Sequence, residues 1–95
     1  MIFPNNIKIG GLNIKIFEVE PYEIDGDCGE SRFDVNTIKI NKALDQQSKE
    51  LSFIHEIFHH IDPALTESQV ELYSRSIYQI IRDNKLYENK LKRKH

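Results

Sequence analysis

Tryptophan is absent from this chain, cysteine and methionine occur once each, and proline and glycine are sparse. With Cys28 alone there is no disulfide framework, which fits a reducing compartment. Three prolines and four glycines are too few for a collagen-like or low-complexity polymer. No apolar run reaches the length of a membrane span, and the opening MIFPNNIKIGG has neither a positively charged leader nor a sustained apolar stretch. The expected location is the cytoplasm. Internal repeats and linker-like segments are also missing, so one domain is expected.

What is present suffices for one folded core. The 95 residues are 39% hydrophobic and 29% charged, a composition of folded chains and not of disordered ones. The net charge of −2 conceals an asymmetry, because residues 85–95 hold Lys85, Lys90, Lys92, Arg93 and Lys94 against Glu88 alone. A single domain over 1–84 and a solvated, frayed basic tail over 85–95 are expected. The acidic body, and the lack of a basic stripe with interleaved aromatics, argue against a nucleic-acid partner.

The first half alternates. In NIKIGGLNIKIFEVE the apolar positions Ile7, Ile9, Leu12, Ile14 and Ile16 recur every second residue about a Gly10-Gly11 turn, the pattern of a hairpin. Pro21 breaks it, DGDCG supplies turn chemistry at 25–29, and SRFDV and TIKIN read as two further strands joined at Asn36.

From Asp45 the period lengthens to that of a helix, with Leu51, Ile54, Phe58 and Ile61 on one stripe and Phe53 and Ile57 opposite. Pro63 ends it. Thr66 and Gln69 form a capping box for a second helix ending near Asn84, whose expected buried stripe is Val70, Tyr73, Ile77, Ile80 and Ile81. The expected fold class is therefore α+β, a small antiparallel sheet of three to four strands followed by two packed helices.

Three of the four histidines fall within HEIFHH, residues 55–60. Residues four apart stack on one helix face, so His55 and His59 present two nitrogens to one tetrahedral zinc ion. Glu56, turned by about 100°, flanks such an ion and is placed to act as a general base. That is why H-E-x-x-H serves metalloproteases. His60 faces elsewhere and is expected to be exposed or to support a ligand from behind. The plainer alternative is a helix whose half-buried imidazoles are satisfied by ordinary hydrogen bonds.

A catalytic zinc ion needs a third protein ligand and an open position. The glycine and third histidine or aspartate of a metzincin are missing, since Asp62 and Leu65 stand there. A glutamate from the following helix remains, Glu67 or Glu71. Glu67 is explained by capping and the helix dipole, so Glu71, deeper in the helix, is preferred. Asp62 is an outside candidate, better read as accepting an imidazole N–H or as a helix-end residue before Pro63.

The order of short strands, then INKALDQQSKELSFIHEIFHHID, then LTESQVELYSRSIYQIIRDN, resembles the small stand-alone ImmA/IrrE-like zinc metallopeptidases of phages and mobile elements, a gluzincin-like arrangement, over residues 7–84. The resemblance implies His55, His59 and Glu71 as Zn2+ ligands, Glu56 as the catalytic base, and hydrolysis of a peptide bond in a protein substrate such as a repressor or regulator. The second helix carries serines where that family often has alanine, and the additional helices and fused DNA-binding domain of many members are missing. A peptide would lie along the strand NTIKIN, with Tyr73, Tyr78 or His60 as oxyanion donor. A non-catalytic zinc-stabilised interaction module is the alternative, with Asp62 as the residue that would close its metal site.

Overall fold

Two consecutive glycines with positive φ, Gly10 at 56° and Gly11 at 84°, close the first hairpin in the computed structural model, which describes residues 3–86. Positive φ at both central residues is what a tight two-residue hairpin needs, and glycine takes it without a Cβ penalty. The hairpin joins β1 (Asn6–Ile9) to β2 (Leu12–Val19).

A short 3-10 turn, Pro21–Ile24, follows, then β3 (Gly29–Arg32), β4 (Thr37–Asn41), α1 (Gln46–Ile61) and α2 (Glu67–Asp83). The fold is α+β, as expected, but its sheet is mixed. The strand order is β1-β2-β4-β3, with β4 parallel to β2 and antiparallel to β3. After β2 the chain passes the far end of the sheet, runs back as the edge strand β3, and inserts β4 between the two. Burial explains the choice. Ile38 and Ile40 of β4 are both fully shielded and belong in the centre, whereas the polar GESR segment suits an edge. Gly29 opens β3 and is not part of the turn before it, while Phe33 and Val35 lie in the exposed turn that Asn36, at φ 49°, completes.

One face of the sheet packs on α1. Ile14, Ile16, Ile38 and Ile40 meet Phe53, with Phe3, Ile7, Ile9 and Ile57 around them. Burying each of the first five, which are nearly or fully shielded, contributes about 1.5–3 kcal/mol. Lys49 of α1 pairs with Glu18 of β2 at 2.9 Å at the margin of this contact.

Asp45 caps α1 by accepting the Ser48 N–H at 3.1 Å. Within α1, Phe53 and Ile54 are buried, whereas Ile61 at the last turn is exposed. α2 begins at the expected capping box, in which Thr66 accepts the Gln69 N–H and Gln69 accepts the Thr66 N–H.

The stripe that α2 buries against α1 differs from the expected one. Val70, Ser74 and Tyr78 are inside, and Tyr73, Ile77 and Ile80 are exposed. One polar contact between the helices favours this rotation, and a satisfied serine permits it. Ser74 is small enough for close helix approach and its hydroxyl donates to the Val70 carbonyl at 2.6 Å, while the Tyr78 hydroxyl donates to Glu50 of α1 at 2.6 Å. Among the described residues no helix is long and apolar enough to cross a membrane. The expected basic tail lies, from residue 87 on, outside the described residues.

Candidate metal centre

Ser48, Ser52, His55 and His59 recur along α1 at three- and four-residue intervals and therefore share one face, with Leu51 and Glu56 on its flanks. That face floors a cleft of about 660 Å³. Glu67, Glu71, Ser74 and Arg75 of α2 form one wall, and the segment Asp27–Ser31 the other. The rotation of α2 that buries Ser74 and Tyr78 is what turns Glu67 and Glu71 toward this floor.

The Nε2 atoms of His55 and His59 are 3.2 Å apart. Glu67 completes the group, with Oε1 at 2.7 Å from His59 Nε2 and Oε2 at 3.4 Å from His55 Nε2. One ligand atom from each of the three residues lies within 4.8 Å of every other. Glu71 does not join them. Its Oε1 stands 3.4 Å from Nδ1 of His55, the opposite side of the ring, and its Oε2 accepts from Arg75 Nε at 3.0 Å. The preference for Glu71 over Glu67 thus finds no support in the geometry. The loop between the helices is short, so the first turn of α2 stands directly opposite His59, and a residue whose position suggests only capping is the one that meets the two facing Nε2 atoms.

Asp62 is also outside the group. It ends α1 and its Oδ1 accepts the Ala64 N–H at 3.0 Å, holding the turn before Pro63.

Glu56 sits beside the histidines and is nearly shielded from solvent. Burial raises its pKa above the usual carboxylate range, the Glu67 charge adds to this, and the Ser31 hydroxyl and the two imidazoles oppose it. Ser31 donates to Glu56 Oε1 at 2.7 Å and so orients the carboxylate from β3.

Close approach of β3 to α1 makes this bond possible. A Cβ added at Gly29 would stand 2.6 Å from Ser52 Oγ and 3.2 Å from Glu56 Cγ. Ser31, Gly29 and Arg75 escape a reading of sequence alone. A serine and an arginine on polar faces carry no distinguishing signal, and Gly29 ends a run of turn residues.

His60 is neither exposed nor behind a ligand. Its ring packs on Phe33 at 4.8 Å between centroids, and both ring nitrogens are shielded without a hydrogen-bond partner. Burial holds its pKa below the ordinary histidine value. None of the three expected oxyanion donors lines the cleft: His60 is turned away, the Tyr78 hydroxyl is committed to Glu50, and Tyr73 packs on Phe58.

The donor set fits a zinc ion. Ligands held tetrahedrally at 2.0–2.1 Å lie roughly 3.3 Å apart, close to the 3.2 Å between the imidazole nitrogens. Two imidazoles at that separation share either an N–H···N hydrogen bond or a cation, and two nitrogens with one carboxylate make a borderline set that suits zinc. No family model, curated protein or solved structure matches the chain.

Proposed function

We propose that the chain is a zinc-dependent endopeptidase whose metal is held by His55, His59 and Glu67. The observation that carries this reading is the convergence of two imidazole Nε2 atoms and one carboxylate on the floor of an open cleft, with a buried glutamate alongside. When bound, zinc polarises the scissile carbonyl and makes water nucleophilic near neutral pH. Glu56, oriented by Ser31, accepts the proton of the attacking water and returns it to the departing amine.

Two further features support the assignment. β3 is an edge strand and borders the cleft, so an extended protein substrate adds to its free edge by backbone hydrogen bonds; β4 is paired on both sides and unavailable for this. The cation on the cleft wall is Arg75, held by Glu71, which suits it to stabilise the developing oxyanion. Glu71 then acts through Arg75 and not on the metal.

The alternative, a closed zinc site that only clamps the helices, would need a fourth protein ligand. Asp62, the residue to supply it, is committed to the Ala64 N–H. Replacing Glu56 by Gln is expected to retain one zinc per chain by metal analysis and to lower cleavage of a peptide library, read by mass spectrometry, by at least about 100-fold. His59→Ala is expected to release the metal. Cleavage by Glu56→Gln at the wild-type rate would reject the assigned base.

A further inference from the structure

The face of the sheet opposite α1 carries side chains that the metal centre does not use. Residues paired across the strands share a face, and the register aligns Lys8 with Asn13, Asn6 with Lys15, Lys15 with Thr37, and Phe17 with Lys39. Lys8, Lys15, Lys39 and Phe17 therefore occupy the face that points away from Ile14, Ile16, Ile38 and Ile40. Lys8, Lys15 and Phe17 already share one face of the first hairpin, and Lys39, distant in sequence, joins them when β4 pairs with β2.

This face is basic although the chain as a whole has a net charge of −2. Arg32 also lies on it but is occupied by Asp34 at 3.3 Å and Glu30 at 4.0 Å. Lys8, Lys15 and Lys39 form no ion pair among the described residues. Phe17, in their midst, is 47% exposed.

We infer that this face binds a short single-stranded nucleic acid, with a base stacked on Phe17 and phosphates neutralised by Lys8, Lys15 and Lys39. The chemistry selects this ligand over others that also carry negative charge. β2 and β4 are paired on both sides, so a peptide finds no free backbone here, whereas bases stack on aromatic side chains presented by a sheet face. A bilayer needs several apolar residues to insert, and this face exposes one. Three strand spacings give a width of roughly 14 Å, enough for a few unpaired nucleotides and too narrow to grip a duplex. Asn6 and Asn13, both exposed on the same face, add donors and acceptors for base edges.

The test is fluorescence anisotropy of a labelled single-stranded octanucleotide with the full chain. Phe17→Ala is expected to weaken binding about ten-fold, and Phe17→Trp to retain it. Because the chain has no other tryptophan, quenching of that residue on addition of oligonucleotide reports stacking directly. Each phosphate contact on a single strand contributes a salt slope of about −0.7, so the Lys15→Gln/Lys39→Gln pair is expected to make the slope of log K against log salt shallower by roughly 1.4.

Four results would overturn the inference. These are wild-type affinity in Phe17→Ala, an unchanged salt slope in the lysine pair, equal affinity for a duplex of the same length, and binding to anionic vesicles or an acidic peptide but not to the oligonucleotide. Should Phe17→Ala fail to fold, the tryptophan quench and the lysine pair decide alone.

Discussion

His60 follows a proposed zinc ligand by one residue, yet its half-buried ring turns away from the site and onto Phe33. Its ring meets Phe33 at a tilt of 56°, and both nitrogens are shielded without a hydrogen-bond partner. An unsatisfied buried polar group costs about 1–3 kcal/mol, whereas an apolar group of similar shape does not incur that cost. His60→Leu is therefore expected to stabilise the fold by about 1 kcal/mol and leave zinc content unchanged. Thermal melting with metal analysis checks both halves, and zinc loss in that variant would mean that His60 supports the site after all.

Asp45 makes a prediction of opposite character. Its hydrogen bond to Ser48 holds the carboxyl pKa below the ordinary aspartate value, so folding favours the ionised form. The contribution is present above the ordinary aspartate pKa and is lost as pH falls through the lowered folded value. Asp45→Asn keeps an acceptor for the cap but has no such titration. Its melting temperature is expected to fall less steeply than that of the wild type below about pH 4, and parallel acid profiles would contradict the argument.

At the scale of elements, the contact between β3 and α1 turns on Gly29. Ser52 Oγ at 2.6 Å from the position of an added methyl leaves it no space, and the other near atoms belong to the Lys39 backbone and Glu56. Gly29→Ala must turn the Ser52 hydroxyl aside or push the strand away from the helix. Overpacking of this kind costs about 1–3 kcal/mol, and the displacement lengthens the Ser31–Glu56 hydrogen bond. A lower melting temperature is expected together with a larger fractional loss of the proposed peptidase activity, while His55 and His59, which share a helix, keep the proposed metal. An unaltered melt would show that the strand moves freely.

Features set by a few adjacent residues were legible in the sequence for that reason. The Gly10-Gly11 hairpin, the Asp45 cap, the Thr66–Gln69 box and the placing of His55 and His59 on one helix face all follow from short-range geometry. The partner of β4, the rotation of α2 and the approach of Glu67 depend on what the elements meet in space. Alternation marks a strand without naming its neighbour. Apolar spacing alone favoured a stripe through Tyr73 and Ile77 because it assigns no value to Ser74 packing closely or to Tyr78 bonding Glu50. The choice between Glu67 and Glu71 has a different origin: both share one face of α2, and the short loop after Pro63 sets which of them stands opposite His59.

For the whole molecule, the metal's proposed ligands straddle a division in the fold. His55 and His59 belong to α1, which is anchored in the core with Phe53, whereas Glu67 starts α2, which rests on α1. An ion shared between them stabilises the assembled helices by linkage, about 4 kcal/mol when free zinc exceeds its dissociation constant 1,000-fold. Removing it also leaves Glu67, Glu71 and Glu56 near one another without its compensating charge. A chelator is accordingly expected to lower the melting temperature and to raise amide exchange in α2 before the sheet is affected. The two candidate glutamates separate here. Glu67→Gln should melt near the chelated wild type and respond weakly to chelator, whereas Glu71→Gln, which frees Arg75 but leaves the three donor atoms in place, should keep a full chelator response and lose activity instead. The reverse pattern would move the third ligand to Glu71, and equal full responses in both variants would mean that neither carboxylate holds the ion.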